Sequence, residues 1–289
     1  MSYHSILRAN LFLDQVMLVT GGGSGIGRCV AHELAALGAQ VIITGRTIEK
    51  LDRVVAEIHA DDGRALGLVC DNRDEAMVKQ TIATVVEKFG KIDGLVNNAG
   101  GQFPAALETL SYNGFDAVVR NNLHGTFLMM REAYTQSMAR HGGSIVNMTL
   151  EMWNGIPLMA HSAAARAGID NLTKTAAVEW AKSGVRVNAV APGWILSSGL
   201  NSYQGTVKAM LPHVASHIPL QRMGTESEIS ATICFLLSAG AAFISGMNIR
   251  VDGAASQGTR IYPLAPAQHH TPFNGFHRAT IPEAMQDHV

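Results

Sequence analysis

From Gln15 onward the chain is punctuated by seven short apolar runs: QVMLVT, QVIITG, RALGLVC, IDGLVNN, GSIVNMT, VRVNAVAP and MNIRVDG. Segments with helical periodicity separate the early runs, at 27–37, 48–59 and 75–88. A strand that is apolar along its whole length must be covered on both faces, and strand–helix alternation supplies that cover. The expected fold is a single α/β domain: a doubly wound, Rossmann-type parallel sheet of seven strands. With 289 residues, 47% of them hydrophobic, one core of that size is feasible. The domain is placed at residues 1–259. An insertion at about 197–219 interrupts the alternation, and an irregular arm rich in Pro and His occupies 260–289.

Several functions are excluded by what the chain lacks. A net charge of −1 with 16% charged residues argues against nucleic acid or an anionic membrane as partner. No run approaches about 18 apolar residues, so no membrane span is expected. Cys29, Cys70 and Cys234 are odd in number and widely spaced, which fits neither a disulfide framework nor a zinc site. His269 and His270 lack further ligands at useful spacing, so no metal is expected. Met129, Met130 and Met138 read as core filler. The N-terminal segment shows no signal-peptide pattern and the chain ends in DHV rather than a peroxisomal S-K-L-type address; the expected location is cytoplasmic.

TGGGSGIG, at 20–27, follows the first strand and opens the first helix. In that context Gly21 and Gly25 permit tight turns, and Gly27 lets the helix approach the strand. The helix N-terminus then offers N–H groups and a positive dipole end to a pyrophosphate. At the end of the second strand a site for NAD usually carries an acid. Here the chain reads VIITGRTIEKL, with Arg46 where a 2′-phosphate would lie, so NADP is expected over NAD. Asp71, closing the third strand, is a candidate for the adenine amino group or for capping the next helix.

These residues, with N-N-A-G at 97–100, Asn122 in NNLHGTF and P-G at 192–193, resemble the short-chain dehydrogenase/reductase family from about Gln15 to Gly253. The resemblance implies strand order 3-2-1-4-5-6-7. It also implies a cofactor site of Thr20, Gly21, Ser24, Gly25, Ile26, Gly27, Asn98 and Gly100, with Pro192, Gly193 and Ile195 flanking the nicotinamide carboxamide. Helices at 109–140 and 162–182 pack between subunits in that family, which implies a homotetramer or homodimer.

The family's ketone reductases use Ser, Tyr and Lys, the last two at i and i+4 on one helix face. Here the matching positions are Thr149, Ser162 and Arg166, so the tyrosine acid is missing. Of Tyr3, Tyr112, Tyr134, Tyr203 and Tyr262, only Tyr203, in the insertion, is an attractive substitute, with a surface loop position as its alternative. His161 offers an imidazole, a common acid–base group, but points about 100° away from Ser162 on an ideal helix. Adding hydride to a carbon–carbon double bond conjugated to a thioester makes fewer demands on an acid than making an alkoxide.

GGQFPAALETL, AHSAAARAG and CFLLSAGAAFISG are similar to trans-2-enoyl-CoA reductases of the peroxisomal type and, less closely, to 2,4-dienoyl-CoA reductases. Both groups use NADPH. Glu151 stands where the mitochondrial dienoyl enzymes carry a tyrosine, and reads as a loop carboxylate. The leading expectation is an NADPH-dependent reductase of an enoyl-CoA or related thioester, with Asn122, Thr149, Ser162, Arg166, Tyr203 and His161 as candidate catalytic residues. The alternatives are an alcohol, 3-hydroxyacyl or acyclic-terpenoid dehydrogenase, and a non-catalytic NADP-binding scaffold.

Overall fold

The computed structural model describes residues 2–257, 264, 266–268 and 270–286; Tyr262 and His269 lie outside them. Seven strands form one sheet: β1 (Val16–Thr20), β2 (Gln40–Gly45), β3 (Arg64–Val69), β4 (Gly94–Asn97), β5 (Gly143–Met148), β6 (Val185–Pro192) and β7 (Asn248–Val251). All pairings are parallel and the order is β3-β2-β1-β4-β5-β6-β7, the single Rossmann-type α/β fold expected from the alternation.

Six main helices cover the sheet: α1 (Gly25–Ala36), α2 (Ile48–Ala60), α3 (Glu75–Phe89), α4 (112–141), α5 (Ala160–Trp180) and α6 (Glu226–Leu237). Successive strand residues point to opposite faces, so each strand feeds two cores. Met17, Val19, Val96 and Val146 join Leu34, Leu51 and Ile233 beneath α1, α2 and α6. Their neighbours Leu18, Leu95 and Ile145 join Ile82 and Met129 beneath α3 and α4. Met130 and Met138 lie in that second core too.

Helix ends show local chemistry at work. Asp74, not Asp71, caps α3 by accepting from the Met77 N–H. Asp71 instead accepts from the backbone N–H of Arg73 and grips its guanidinium, so the capping role considered for Asp71 is corrected. At α6, Thr225 and Glu228 form a reciprocal capping box. α1 differs: its N-cap, Ser24, makes no side-chain capping bond, which leaves the first-turn N–H groups without a capping side chain. Within α4, π turns at Arg120–His124 and Tyr134–Met138 each shift the phase of the helix.

The segment after β6 leaves the sheet. Ile195–Leu196 pairs with Gly224–Thr225, and between them short helical turns form a lid with its own apolar cluster, including Leu200, Leu211, Val214 and Ile218. The arm returns across α1 and α6 to this lid. Arg278 binds Asp61 through two contacts of 2.8 and 3.0 Å, Phe276 stacks on Tyr3, and Met285 enters the lid cluster. Beneath the arm, the buried Glu33 carboxyl accepts from Tyr3, Ser5 and Ser230. No described helix is long and apolar enough to cross a membrane.

Candidate active site

Strand order reverses between β1 and β4, and at their C-terminal ends opens a cleft of about 1080 Å³. Single small-molecule pockets run to about 300–1,000 Å³, so this cleft has the size of a large ligand site such as a dinucleotide needs. Gly21, Ser24, Gly25 and Ile26 form its floor at one end, and Gly100, Pro192, Gly193 and Ile195 its wall at the other. Gly21 and Gly25 adopt φ of +66° and +56°, the left-handed region that glycine tolerates. A Cβ on Gly21 would lie 2.9 Å from the Ala99 backbone, which explains the bare position.

Thr20 and Gly27, expected at the cofactor, stand behind the cleft wall. Thr20 is fully buried and accepts from the Ala99 N–H at 2.9 Å. A Cβ on Gly27 would strike the Gly21 carbonyl and the Asn98 amide, so this glycine serves packing. Asn98 lines the cleft but commits its amide N–H groups to the Thr20 and Gly21 carbonyls.

At the adenosine end Arg46 is exposed on the cleft rim with Lys50 and Arg53. The latter two lie three residues apart on one face of α2, a spacing that could have flagged them in the sequence. Asp71 lines the same end, its carboxyl held at about 2 chiefly by the hydrogen bond from Arg73. The glycine floor, the first turn of α1 without a capping side chain and this basic rim fit an NAD(P)-type dinucleotide. Arg46→Ala is expected to raise the KM for NADPH about tenfold, the low end for hydrogen bonds to charged groups because solvent screens the exposed guanidinium. Steady-state kinetics checks this, with the KM for NADH unchanged.

At the opposite end Arg166 is buried and donates to the Met148 carbonyl at 2.5 Å. No acid pairs with it among the described residues, its Nε has no partner, and burial draws its pKa down to about 10. It remains cationic at neutral pH. Gly100 is bare because a Cβ there would overlap Arg166 and the Asn122 side-chain oxygen.

Asn122 itself is behind the wall, donating to the Gly101 and Val118 carbonyls; the π turn at Arg120–His124 carries it there. Thr149 lines the cleft, yet its hydroxyl lies 3.1 Å from the Val190 carbonyl and 3.0 Å from Asn248 Oδ1, two acceptors that claim its proton.

Sequence reasoning missed Gln102, in the loop after β4. Ser162 Oγ donates to Gln102 Oε1 at 2.5 Å, and Gln102 Nε2 donates to the Tyr203 hydroxyl at 2.7 Å. Gln102 and Tyr203 line the cleft, whereas Ser162 is fully buried. Tyr203 therefore faces the cleft rather than standing on the surface. With its oxygen accepting from an amide, the phenol proton is free to point at a substrate. His161 is corrected as a candidate: it is fully buried outside the cleft wall, accepts from the Ser162 N–H through Nδ1, and meets the Phe103 ring edge-on at 4.6 Å.

The family profile described as enoyl-(acyl carrier protein) reductase matches residues 21–256. A peroxisomal 2,4-dienoyl-CoA reductase of Danio rerio is 36% identical over 88% of this chain and 85% of its own length. A probable 2,4-dienoyl-CoA reductase of Bacillus subtilis is 38% identical, over 83% of this chain and 95% of its own. Among solved structures, a citronellol catabolism dehydrogenase of Pseudomonas aeruginosa PAO1 is 54% identical, covers 88% of this chain and 100% of its own, and superposes with a TM-score of 0.80.

Proposed function

Because the chain belongs to the short-chain dehydrogenase/reductase family of NAD(P)-binding oxidoreductases, we propose that it uses NADPH to reduce the 2,3 double bond of an enoyl-CoA thioester. The observation that carries this reading is the proton inventory of the cleft. Thr149 and Ser162 have committed their hydroxyl protons to protein acceptors. Arg166 holds its proton too tightly to act as an acid, even with its pKa drawn down by burial. Of the three hydroxyls of Thr149, Ser162 and Tyr203, that of Tyr203 keeps its proton uncommitted, and its hydrogen-bond partner is the neutral Gln102 rather than a cation.

An alcohol dehydrogenase needs a phenolate as base, and a nearby cation is what usually produces one. A phenol serves enoyl reduction better. A nicotinamide held beside Pro192, Gly193 and Ile195 would supply hydride to the substrate's β carbon, leaving the double-bond electrons on the thioester as an enolate. Arg166 contributes positive potential at that end of the cleft. Tyr203 then gives its proton to the α carbon, and Gln102 stabilises the phenolate by donating to it until solvent restores the proton. Trp194, Leu150 and Leu200 line the same end of the cleft and offer an apolar surface to an acyl chain. Thr20, Asn98 and Asn122 hold the loops in place and take no part in the transfer. Assembly as a homodimer or homotetramer is part of the same proposal.

A second reading, oxidation of an acyclic terpenoid alcohol, is favoured by the 54% identity with the citronellol catabolism dehydrogenase. A substrate panel separates the two. NADPH oxidation is measured with 2-enoyl-, 2,4-dienoyl- and 3-oxoacyl-CoA, and NADP⁺ reduction with citronellol. The expected result is turnover of the enoyl thioester; turnover of citronellol alone would install the second reading.

A further inference from the structure

Among the buried acids that take no part in hydride or proton transfer, one faces the phosphate end of the cleft. Glu226, the first residue of α6, lines the cleft beside Gly25 and Ser198. A Cβ built on Gly25 would lie 3.9 Å from Glu226 Oε1 and 3.5 Å from Ser198 Oγ. The carboxyl thus stands against the first turn of α1, where the open N–H groups would receive a pyrophosphate. It is only 9% exposed and makes no hydrogen bond to a described residue.

The charged groups around it are already engaged. Arg28, on α1, acts on Glu226 through space. Its guanidinium, however, binds Glu57 at 2.7 Å, donates to the Arg278 carbonyl at 3.2 Å and lies over the Phe276 ring at 4.9 Å. On the arm, Arg278 is held by Asp61, and Thr280 lines the cleft without charge. On α6, Glu228 is paired with Arg222. Cys29, on α1, is buried, with its thiol pushed up first by burial and then by the Glu226 charge. Burial pushes the Glu226 carboxyl up to about 7.

Two anions cannot share a site of low polarity unless one takes up a proton. We infer that Glu226 binds the cofactor's pyrophosphate as a neutral acid, donating a hydrogen bond to a phosphate oxygen, so that dinucleotide binding takes up a proton. A carboxyl kept neutral by its surroundings can serve as a donor in this way. The sign follows from linkage. The protonated form binds, so affinity is full below the free carboxyl's pKa and declines as pH rises through and above it. The inference rests on the family's dinucleotide site and not on the enoyl substrate, so the substrate panel can fail without touching it.

The test is calorimetric titration of the purified protein with NADP⁺ between about pH 6 and 9, in two buffers of different ionisation enthalpy. The wild-type Kd should rise up to about tenfold per pH unit above neutrality, with uptake of up to about one proton. Glu226→Gln, which keeps the shape and an N–H donor, should bind at least as tightly at high pH, with the slope and the proton uptake gone. A wild-type protein that binds NADP⁺ without proton uptake overturns the inference, and this needs no variant at all. A Glu226→Gln protein that keeps the wild-type slope overturns it as well.

Discussion

Tyr203→Phe is expected to lower kcat on an enoyl thioester by about 10²- to 10⁴-fold and to leave the KM for NADPH unchanged, the range for removing a positioned proton donor. The substitution deletes one oxygen and keeps the ring, which lies 6.4 Å from Trp194 and packs against the lid cluster. Gln102→Leu acts in the same direction by a smaller factor, because the phenol keeps its proton but loses the amide that orients it. Ser162→Ala is the control. Its hydroxyl is buried and donates to Gln102, so its loss costs about tenfold or less, the scale of a single neutral hydrogen bond. The orientation of the Gln102 amide decides which hydroxyl has a free proton. Single-turnover kinetics on the three variants reads the order directly.

Arg166→Met separates stability from activity. A buried guanidinium with no acid beside it is a cost to the fold, and an apolar side chain of similar length removes that cost. The loss is one 2.5 Å bond to the Met148 carbonyl, which retains a second lone pair. The melting temperature is therefore expected to stay level or rise. Activity should fall about 10²- to 10³-fold, the range for removing one electrostatic donor from a transition state. Calorimetry and steady-state kinetics on one preparation check both halves. A destabilised variant with normal kcat would assign Arg166 to the fold instead.

The sheet was legible because burial on both faces leaves no choice of residue type: QVMLVT and QVIITG can only be interior strands of a parallel sheet. The glycines at 21 and 25 were legible because their turns demand positive φ. Arg46 could be read from its place at the end of β2. Gln102 could not, since its partners Ser162 and Tyr203 lie 60 and 101 residues away in the chain. Its aim depends on how the loop after β4 packs, with Phe103 set against His161. The hidden positions of Thr20, Gly27 and Asn122 escaped for a related reason. A motif residue next to a ligand and one bracing the loop from behind look alike in sequence. The arm escaped because its hold on the domain comes from scattered contacts, such as Arg278 on Asp61 and Phe276 on Tyr3, with no period to betray them.

The lid cluster of Leu200, Leu211, Val214, Ile218 and Met285 is separate from the two cores that grip the sheet. A domain assembled this way does not have one local stability. Its small satellite core is expected to open at a lower free energy than the strands beneath it, as a cooperative unit of its own. Tyr203 rides on that unit while Ser162 and Arg166 stand on the rigid one, so the proposed proton donor would be present only in the fraction of molecules whose lid is folded. Warming would therefore silence this site before it melts the protein.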